Sequence, residues 1–506
     1  MPGLMLAMAL AAAATPPAQV HEYHDVAISP KGDRIAAVES DDPFQTEAEP
    51  HPVVVVRDRA DGKILGRYDP CPTCFYSGAA WSPDGAALAF VSSDRKAKRA
   101  TLQVVRDGKT AVVLSFGGLL ETPRWSPDGQ TLAVLATDHP RKQTGATQAG
   151  AAIVGEIGGA TDEQRVAVLP AAGGPLKFLS PPDTFVYEYD WTPDGKGFAV
   201  TEAKGDGDNN WWIARLAAVG VDGSFREIAT PPVQMKFPRV SPDGRTVAFI
   251  GGLNSDFGPT GGDLWTAPFA GGPATDRTPD YKGSLSSLIW RGKALFATAI
   301  VGDNNAVLTV DPASGATKTL LTARETFSAG DGRVSISRDG KLLAGVREDF
   351  TTPPHMMAGP IAAPRTVTHD NDALAPQVTA QSIHWTNEGF DVQGWLTGPA
   401  NVQPGKKYPM IVLVHGGPSS AVQPTYMWKG TTNDLVQHGF YVLQANPRGS
   451  FGQGEAFTKA NVKDFGGGDL GDILAGVDAV EKVAPVDDKR LGVYGHSYGG
   501  FMTMWT

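Results

Sequence analysis

Cysteine is nearly absent: the 506 residues contain two, Cys71 and Cys74, spaced as CPTC. A structural zinc site needs a second such pair, and a thioredoxin-like redox site needs a βαβ setting that this stretch lacks. In an exported protein a short local disulfide is the expected state, with free thiols and metal or redox chemistry as the open alternatives. Basic residues are outnumbered, 44 Lys and Arg against 54 Asp and Glu, for a net charge of −10. That speaks against a general nucleic-acid binder, which presents a basic face. It leaves the sign of any single cleft undecided. Long apolar runs are missing as well, and none approaches the length of a membrane-spanning helix. The N-terminal stretch Leu4 to Ala14 has the length of a signal-peptide h-region and ends in an A-x-A cleavage pattern at Ala12-Ala13-Ala14. Residues 1–18 are therefore expected to be a signal peptide, and the protein to be periplasmic or secreted, with no membrane association after export. No Lys or Arg precedes the run, which leaves an upstream start codon open. A frayed, Ala-rich terminus is the plain alternative.

What the chain has in quantity is turn-forming residues, 60 Gly and 39 Pro, beside a hydrophobic content of 41%. Its length exceeds one ordinary core, so at least two domains are expected. One phrase recurs: an apolar or aromatic residue, then Ser/Thr-Pro-Asp-Gly or a near variant, then an apolar strand. Copies begin at Ile28, Trp81, Trp125, Trp191, Val240 and Ile336, with a degenerate one at Ile289. Pro presets φ, Asp accepts a local backbone hydrogen bond, and Gly takes the positive φ that follows, so each copy reads as strand, tight turn, strand. A spacing near that of a four-stranded blade, repeated seven times, predicts a seven-bladed β-propeller over residues 19–370. The small, polar stretch from Arg141 to Gln164 reads as an extended loop or insertion on one blade, and Lys204 to Trp212 as a solvated hairpin tip, with binding of a cation or a substrate amine by its acidic cluster as the alternative.

After Ala375 the texture changes. A hairpin of alternating apolar residues is followed by the buried-type strand MIVLVHGG (Met410–Gly417) and a second, GFYVLQANPRGS (Gly439–Ser450). Leu470, Ile473, Leu474, Val477 and Val480 then mark an amphipathic helix between Gly466 and Val483, and RLGVYGHSYGG ends a third strand in a Gly-rich turn. Alternating strand and helix predicts a parallel sheet over residues 371–506.

The chemistry sits at that turn. Gly495 to Gly500, GHSYGG, holds G-x-S-x-G directly after an apolar strand, the setting in which this pattern marks an exposed serine nucleophile on a strained strand-to-helix turn. Ser497 is the candidate nucleophile. Tyr498 opens the next helix, so its N–H faces developing negative charge with the helix dipole behind it. HGGP, His415 to Pro418, ends the earlier strand where a second oxyanion donor belongs, and Gly417 is the candidate.

A propeller followed by a hydrolase domain with HGGP, NPRGSFGQGEAF and GHSYGG resembles the prolyl oligopeptidase family, and His496 with the HGGP form resembles its acylaminoacyl-peptidase and dipeptidyl-peptidase branch. The resemblance implies a serine peptidase, with Ser497 as nucleophile, Gly417 and Tyr498 as backbone oxyanion donors, and a propeller that caps the site and admits short peptides. It implies no metal or organic cofactor.

The sequence departs from that pattern. In the hydrolase order the acid and the histidine follow the serine, and the chain ends at Thr506, nine residues beyond Ser497. The expectation is an incomplete, C-terminally truncated α/β-hydrolase domain, inactive and poorly soluble by itself. Weaker site candidates are Arg448, for a substrate carboxylate or carbonyl, and Glu188 or Glu202, for a peptide amine; a loop-fixing ion pair and solvated carboxylates are their plainer readings. Asp469 and Asp472 read as capping residues of the Leu470 helix. The rival functions are an esterase with the same elbow and a propeller binding module carrying a vestigial hydrolase segment. Specificity and oligomeric state stay open.

Overall fold

The computed structural model describes residues 19–43, 50–140, 162–205 and 207–506. The expected signal peptide and most of the Arg141–Gln164 insertion lie outside the described residues. Among those residues, seven antiparallel sheets follow one another from Gln19 to Thr366, each built from consecutive strands. These are the seven blades.

Every copy of the turn phrase joins the first strand of a blade to its second. In blade 2 the Ser82 hydroxyl donates to Asp84 Oδ1 at 2.6 Å, the same oxygen accepts Ala86 N–H at 2.9 Å, and Gly85 sits at φ +74°. Blades 3, 4, 5 and 7 repeat the arrangement at Asp128, Asp194, Asp243 and Asp339. Neighbouring blades are then stitched through the phrase itself. The Trp81 indole N–H donates to Ala27 O at 3.0 Å, Trp125 to Ala80 O at 2.9 Å, and Trp191 to Arg124 O at 3.3 Å, each reaching the preceding blade. Carboxylates on the first strands do the same in the other direction: Asp25 accepts Gly78 N–H at 2.7 Å, and Asp190 accepts Val240 N–H at 2.9 Å.

No strand is exchanged between the first and last blades. The ring closes through side chains, with Asn371 accepting His21 N–H at 2.8 Å and Tyr23 donating to Asp370 at 2.6 Å, and through backbone bonds from Gly330 N–H to Val26 O at 3.2 Å and from Arg338 N–H to Pro30 O at 3.1 Å. The first strand of blade 7 is split into Thr326–Ser328 and Ser335–Ile336, both paired with Leu342–Glu348. Between the two pieces the chain leaves the blade and reaches into the central channel, where Asp331 meets Arg124 at 2.9 Å and Arg239 at 2.7 Å, on blades 3 and 5. A cavity of about 770 Å³ lies on the side of the turn phrases, lined by Trp81, Trp191, Arg124, Arg291 and Asp331 among others.

The Lys204–Trp212 stretch joins two paired strands of blade 4, as a hairpin tip does, and leaves Trp212 half exposed, but it is not solvated throughout. Gly207–Asn210 and Trp211–Ile213 coil into two short helical turns, and Trp211 is buried against Phe257. An indole finds more apolar contact there than a hairpin tip offers.

The C-terminal region forms one five-stranded sheet. Its strands are β1 (Val378–Asn387), β2 (Phe390–Pro399), β3 (Tyr408–Val414), β4 (Tyr441–Asn446) and β5 (Val486–Gly495), in the order β1-β2-β4-β3-β5. β1, β2 and β4 pair antiparallel, whereas β3 runs parallel to both β4 and β5. The helices are α1 (Gly430–Gln437), α2 (Glu455–Thr458), α3 (Gly468–Glu481) and α4 (Tyr498–Trp505). Trp385, Val412, Leu443, Ile473, Val480 and Met502 share the core. Leu474 does not join it and is half exposed. The buried stripe of α3 runs instead through Asp469, Asp472, Ile473, Gly476 and Val480. Among the described residues no helix is long and apolar enough to cross a membrane.

The hydrolase region docks on the strand ends opposite the turn phrases. Gly452 N–H donates to Ser284 at 3.0 Å, Asn305 donates to Gln423 at 2.6 Å, Tyr426 N–H donates to Glu348 at 2.8 Å, and Lys429 pairs with Asp42.

Candidate active site

The strand β5 ends at Gly495 and the helix α4 starts at Tyr498, leaving two residues to reverse the chain. Ser497 takes φ +56° and ψ −120° to do so. A non-glycine residue in that region stores strain of about 1–3 kcal/mol, held only because its surroundings over-determine it. The flanking glycines are steric requirements. A Cβ on Gly499 would stand 1.9 Å from Val414 O, and one on Gly495 would stand 2.5 Å from the Gly499 backbone. The helix therefore crosses the end of the sheet at a distance that excludes any side chain. Ser497 itself is exposed, and among the described residues its hydroxyl has no hydrogen-bond partner.

The HGGP turn lies alongside. A Cβ on Gly416 would come within 3.6 Å of the Ser497 Cβ. Gly417 follows at φ +134°, a conformation open to glycine. Neither Gly417 N–H nor Tyr498 N–H has an acceptor among the described residues. The turn is held from two sides. Ser419 N–H donates to Ser255 Oγ of the propeller at 2.9 Å, and His415 pins its base. A carbonyl can only accept, so the 2.7 Å contact from His415 Nδ1 to Gly416 O puts the proton on Nδ1, and Nε2 then accepts from the Ser450 hydroxyl at 3.0 Å. Burial lowers the His415 pKa and keeps the ring neutral. With both nitrogens engaged, His415 cannot serve Ser497 as a base. His438 donates through Nδ1 to Asp434 O at 2.7 Å at the end of α1.

The residue after the nucleophile is anchored by its side chain. The Tyr498 phenol donates to Asp469 at 2.5 Å, and Asp469 also accepts Gly466 N–H at 2.8 Å and Leu470 N–H at 2.9 Å. Burial and the Asp469 carboxylate push the phenol pKa up, so it stays a donor. Asp469 and Asp472 are thus more than helix caps: both are fully buried. The cap residue of α3 is Gly467, which carries no side-chain bond.

Of the three weaker candidates, Arg448 follows its plainer reading as a loop-fixing ion pair, whereas Glu202 is buried and Glu188 half-buried rather than solvated. Arg448 is buried and committed, with Nε and Nη2 bonded to Asp472 at 2.9 and 2.8 Å and Nη1 to Glu388 at 2.8 Å. It fixes the NPRGS loop to α3, with all three of its nitrogens engaged in that role. Glu202 is fully buried in the second strand of blade 4, where it pairs with Arg215 on the next strand. Glu188 lies on the first strand of that blade and accepts Phe237 N–H at 2.9 Å, another blade-to-blade stitch. Burial raises its pKa, opposed by Lys236 and Arg239. Cys71 and Cys74 form a disulfide with a Cα–Cα distance of 5.3 Å. What the sequence reading missed is the set of ties that position the elbow: Asp469 to Tyr498, and Ser255 to Ser419. Two buried-stripe aspartates on an otherwise apolar helix face were the available signal for the first.

Comparison with known proteins agrees with this geometry. Residues 427–506 match the prolyl oligopeptidase family. Dipeptidyl-peptidase 5 of Porphyromonas gingivalis is 24% identical over 353 residues, covering 66% of this chain and 50% of that protein. An uncharacterized peptidase of Bacillus subtilis, YuxL, is 43% identical over 121 residues, covering 24% of this chain and 18% of its own length. The chain thus spans half or less of the length of these curated relatives. The solved structure of Pyrococcus horikoshii acylaminoacyl peptidase superposes with a TM-score of 0.73 at 18% identity, covering 96% of this chain and 75% of that one. The strained serine elbow lies within the residues that match the prolyl oligopeptidase family, and the arrangement of a seven-bladed propeller followed by this sheet is the fold shared with the acylaminoacyl peptidase structure.

Proposed function

We propose that this protein is a serine peptidase that cleaves short peptides by acyl transfer through Ser497, with dipeptidyl-peptidase or acylaminoacyl-peptidase specificity. The observation that carries the reading is the elbow: Ser497 exposed at φ +56° between Gly495 and Gly499, with the HGGP turn beside it. In this reading Ser497 Oγ adds to the scissile carbonyl carbon. The carbonyl π electrons move to oxygen, and the Gly417 and Tyr498 N–H groups receive the oxyanion. A preorganised donor of this kind is worth about 10²–10³ in turnover. A base must take the hydroxyl proton and return it to the leaving amine. His415, with both ring nitrogens bonded, is not that group.

The names of the relatives support peptides over esters as substrates. The docking of the propeller on the hydrolase region, tied to the HGGP turn through Ser255, supports a cap that limits substrate size. Export is part of the proposal, supported by the N-terminal apolar run and by the Cys71–Cys74 bond, which suits an oxidising compartment.

The test is turnover of dipeptidyl and N-acyl-aminoacyl chromogenic amides beside the matching esters, with Ser497→Ala as control. In the protein as its own cells make it, amide cleavage that disappears in the variant is expected. Ester cleavage alone would favour the esterase reading, and activity that survives in Ser497→Ala would remove the serine from the mechanism.

A further inference from the structure

We infer that Asp469 is a positioning residue for the reaction, holding the oxyanion-facing amide of Tyr498 in place through the tyrosine side chain. The inference rests on the serine-peptidase reading above. Its starting point is that Ser497 sits in a strained conformation, and such a conformation persists only where neighbours fix the chain on both sides. On the strand side the fixing is done by packing, Gly495 against Gly499 and Gly499 against Val414. On the helix side, Ser497 offers no side-chain cap to α4. The restraint there is the Tyr498 side chain.

Three facts make that restraint specific. The phenol and the carboxylate are 2.5 Å apart, and both residues are buried, Tyr498 at 5% and Asp469 at 0% exposure. A charge-assisted bond of this length, shielded from water, is among the stronger neutral–ionic contacts a fold can make. The carboxylate is itself immobilised by the Gly466 and Leu470 amides, so it transmits the position of α3 and not its own rotamer freedom. The tyrosine ring, finally, is wedged edge-on against Phe465 at 5.2 Å between centroids. The backbone amide that faces the oxyanion thus belongs to a residue clamped at its far end to a helix 29 residues earlier in the chain. An oxyanion donor must be held closely in place, and to the Gly499 packing and the backbone bonds from Gly499 to His496 O and from Phe501 to Ser497 O the phenol–carboxylate bond adds a side-chain tie on the donor's own residue.

The variants are Tyr498→Phe, which removes the bond and keeps the ring, Asp469→Ala, which removes the anchor, and Asp469→Asn, which keeps a neutral partner. Turnover of a peptide amide is measured with the purified protein, together with inhibition by a peptide boronic acid. Ser497 Oγ forms a bond to boron in that adduct, its proton leaving to the base or solvent, so the tetrahedral anion probes the oxyanion donors directly. A positioning role predicts that Tyr498→Phe and Asp469→Ala lower kcat about 10–100-fold per folded molecule. KM stays within about twofold, boronate affinity falls by a similar factor, and Asp469→Asn recovers most of the loss seen in Asp469→Ala. Folded protein is counted by near-ultraviolet circular dichroism.

The inference is overturned if Tyr498→Phe keeps kcat and boronate affinity within about twofold, or if its loss lies in KM alone. It is overturned equally if activity falls only in proportion to folded protein, which is what a merely structural bond would give. An unaltered protein that neither cleaves peptides nor binds the boronate would instead bring down the peptidase reading, and the inference with it.

Discussion

The carboxylate of Asp331 lies 2.7 Å from the guanidinium of Arg239, joining the seventh blade to the fifth through the middle of the propeller. Arg124 on blade 3 meets the same oxygen at 2.9 Å. Such a contact ties blades that are not neighbours in the ring and so share no strand pairing. The three neighbouring arginines, 124, 239 and 291, hold the Asp331 pKa down to about 2. A depressed carboxylate pKa means stability that is present above the ordinary carboxylate range and is lost as pH falls through the folded value.

Asp331→Ala should therefore destabilise the propeller, but modestly. The side chain is 58% exposed to channel water, so screening limits the loss to about 1 kcal/mol. The sharper readout is salt. Raising ionic strength to about 0.5 M should lower the melting temperature of the unaltered protein and leave the variant nearly unmoved. Equal salt sensitivity in both would show that the contact contributes nothing.

Arg448 and Asp472 call for the opposite expectation. Both are buried, and either one left alone is an uncompensated charge in the hydrolase core. Arg448→Met or Asp472→Leu alone should cost about 3–5 kcal/mol in denaturant unfolding, and the double variant markedly less than the sum. Additive losses would mean that the two do not depend on each other.

Ser497→Gly separates strain from chemistry. Glycine occupies φ +56° without penalty, so the variant should be more stable by about 0.5–1 kcal/mol while losing all acyl transfer. A less stable variant would argue that the serine conformation is not strained in solution.

Asp263 sits in blade 5 at 2% exposure, beside Asp276 and facing Glu455 of the hydrolase region. Burial first, then the Asp276 charge, push its pKa up to about 7. A carboxylic acid with a raised folded pKa binds a proton more readily in the folded state, so stability is greatest below its unfolded value and declines as pH rises toward about 7. The expected loss between about pH 5 and pH 8 is on the order of 1–3 kcal/mol, and Asp263→Asn should flatten that slope. Urea midpoints for both proteins at the two pH values check it. A slope that Asp263→Asn leaves unchanged would assign the effect to other carboxylates.

Much of the architecture was legible because it rests on local chemistry. A Ser-Pro-Asp-Gly turn makes the same hydrogen bonds wherever it occurs, so the phrases at Trp81, Trp125 and Val240 marked blades before any contact was known. The elbow was legible for a similar reason, since the glycines around Ser497 answer to a steric demand within a few residues.

The charged groups were not legible in the same way. Arg448, Glu188 and Glu202 are each consistent in sequence with a substrate contact, and each proves to be committed to a partner on another strand, blade or helix. A long side chain's partner is set by which elements the fold brings within its reach, and sequence spacing carries no record of that. The sequence by itself determined the repeat, the sheet pattern and the nucleophile, because these follow from turn sterics and apolar periodicity over short distances. Only the tertiary structure decided that Asp331 crosses the channel, that Asp472 holds Arg448 and that Asp469 anchors Tyr498, because a buried charge takes its partner from whatever packing places beside it, often far along the chain.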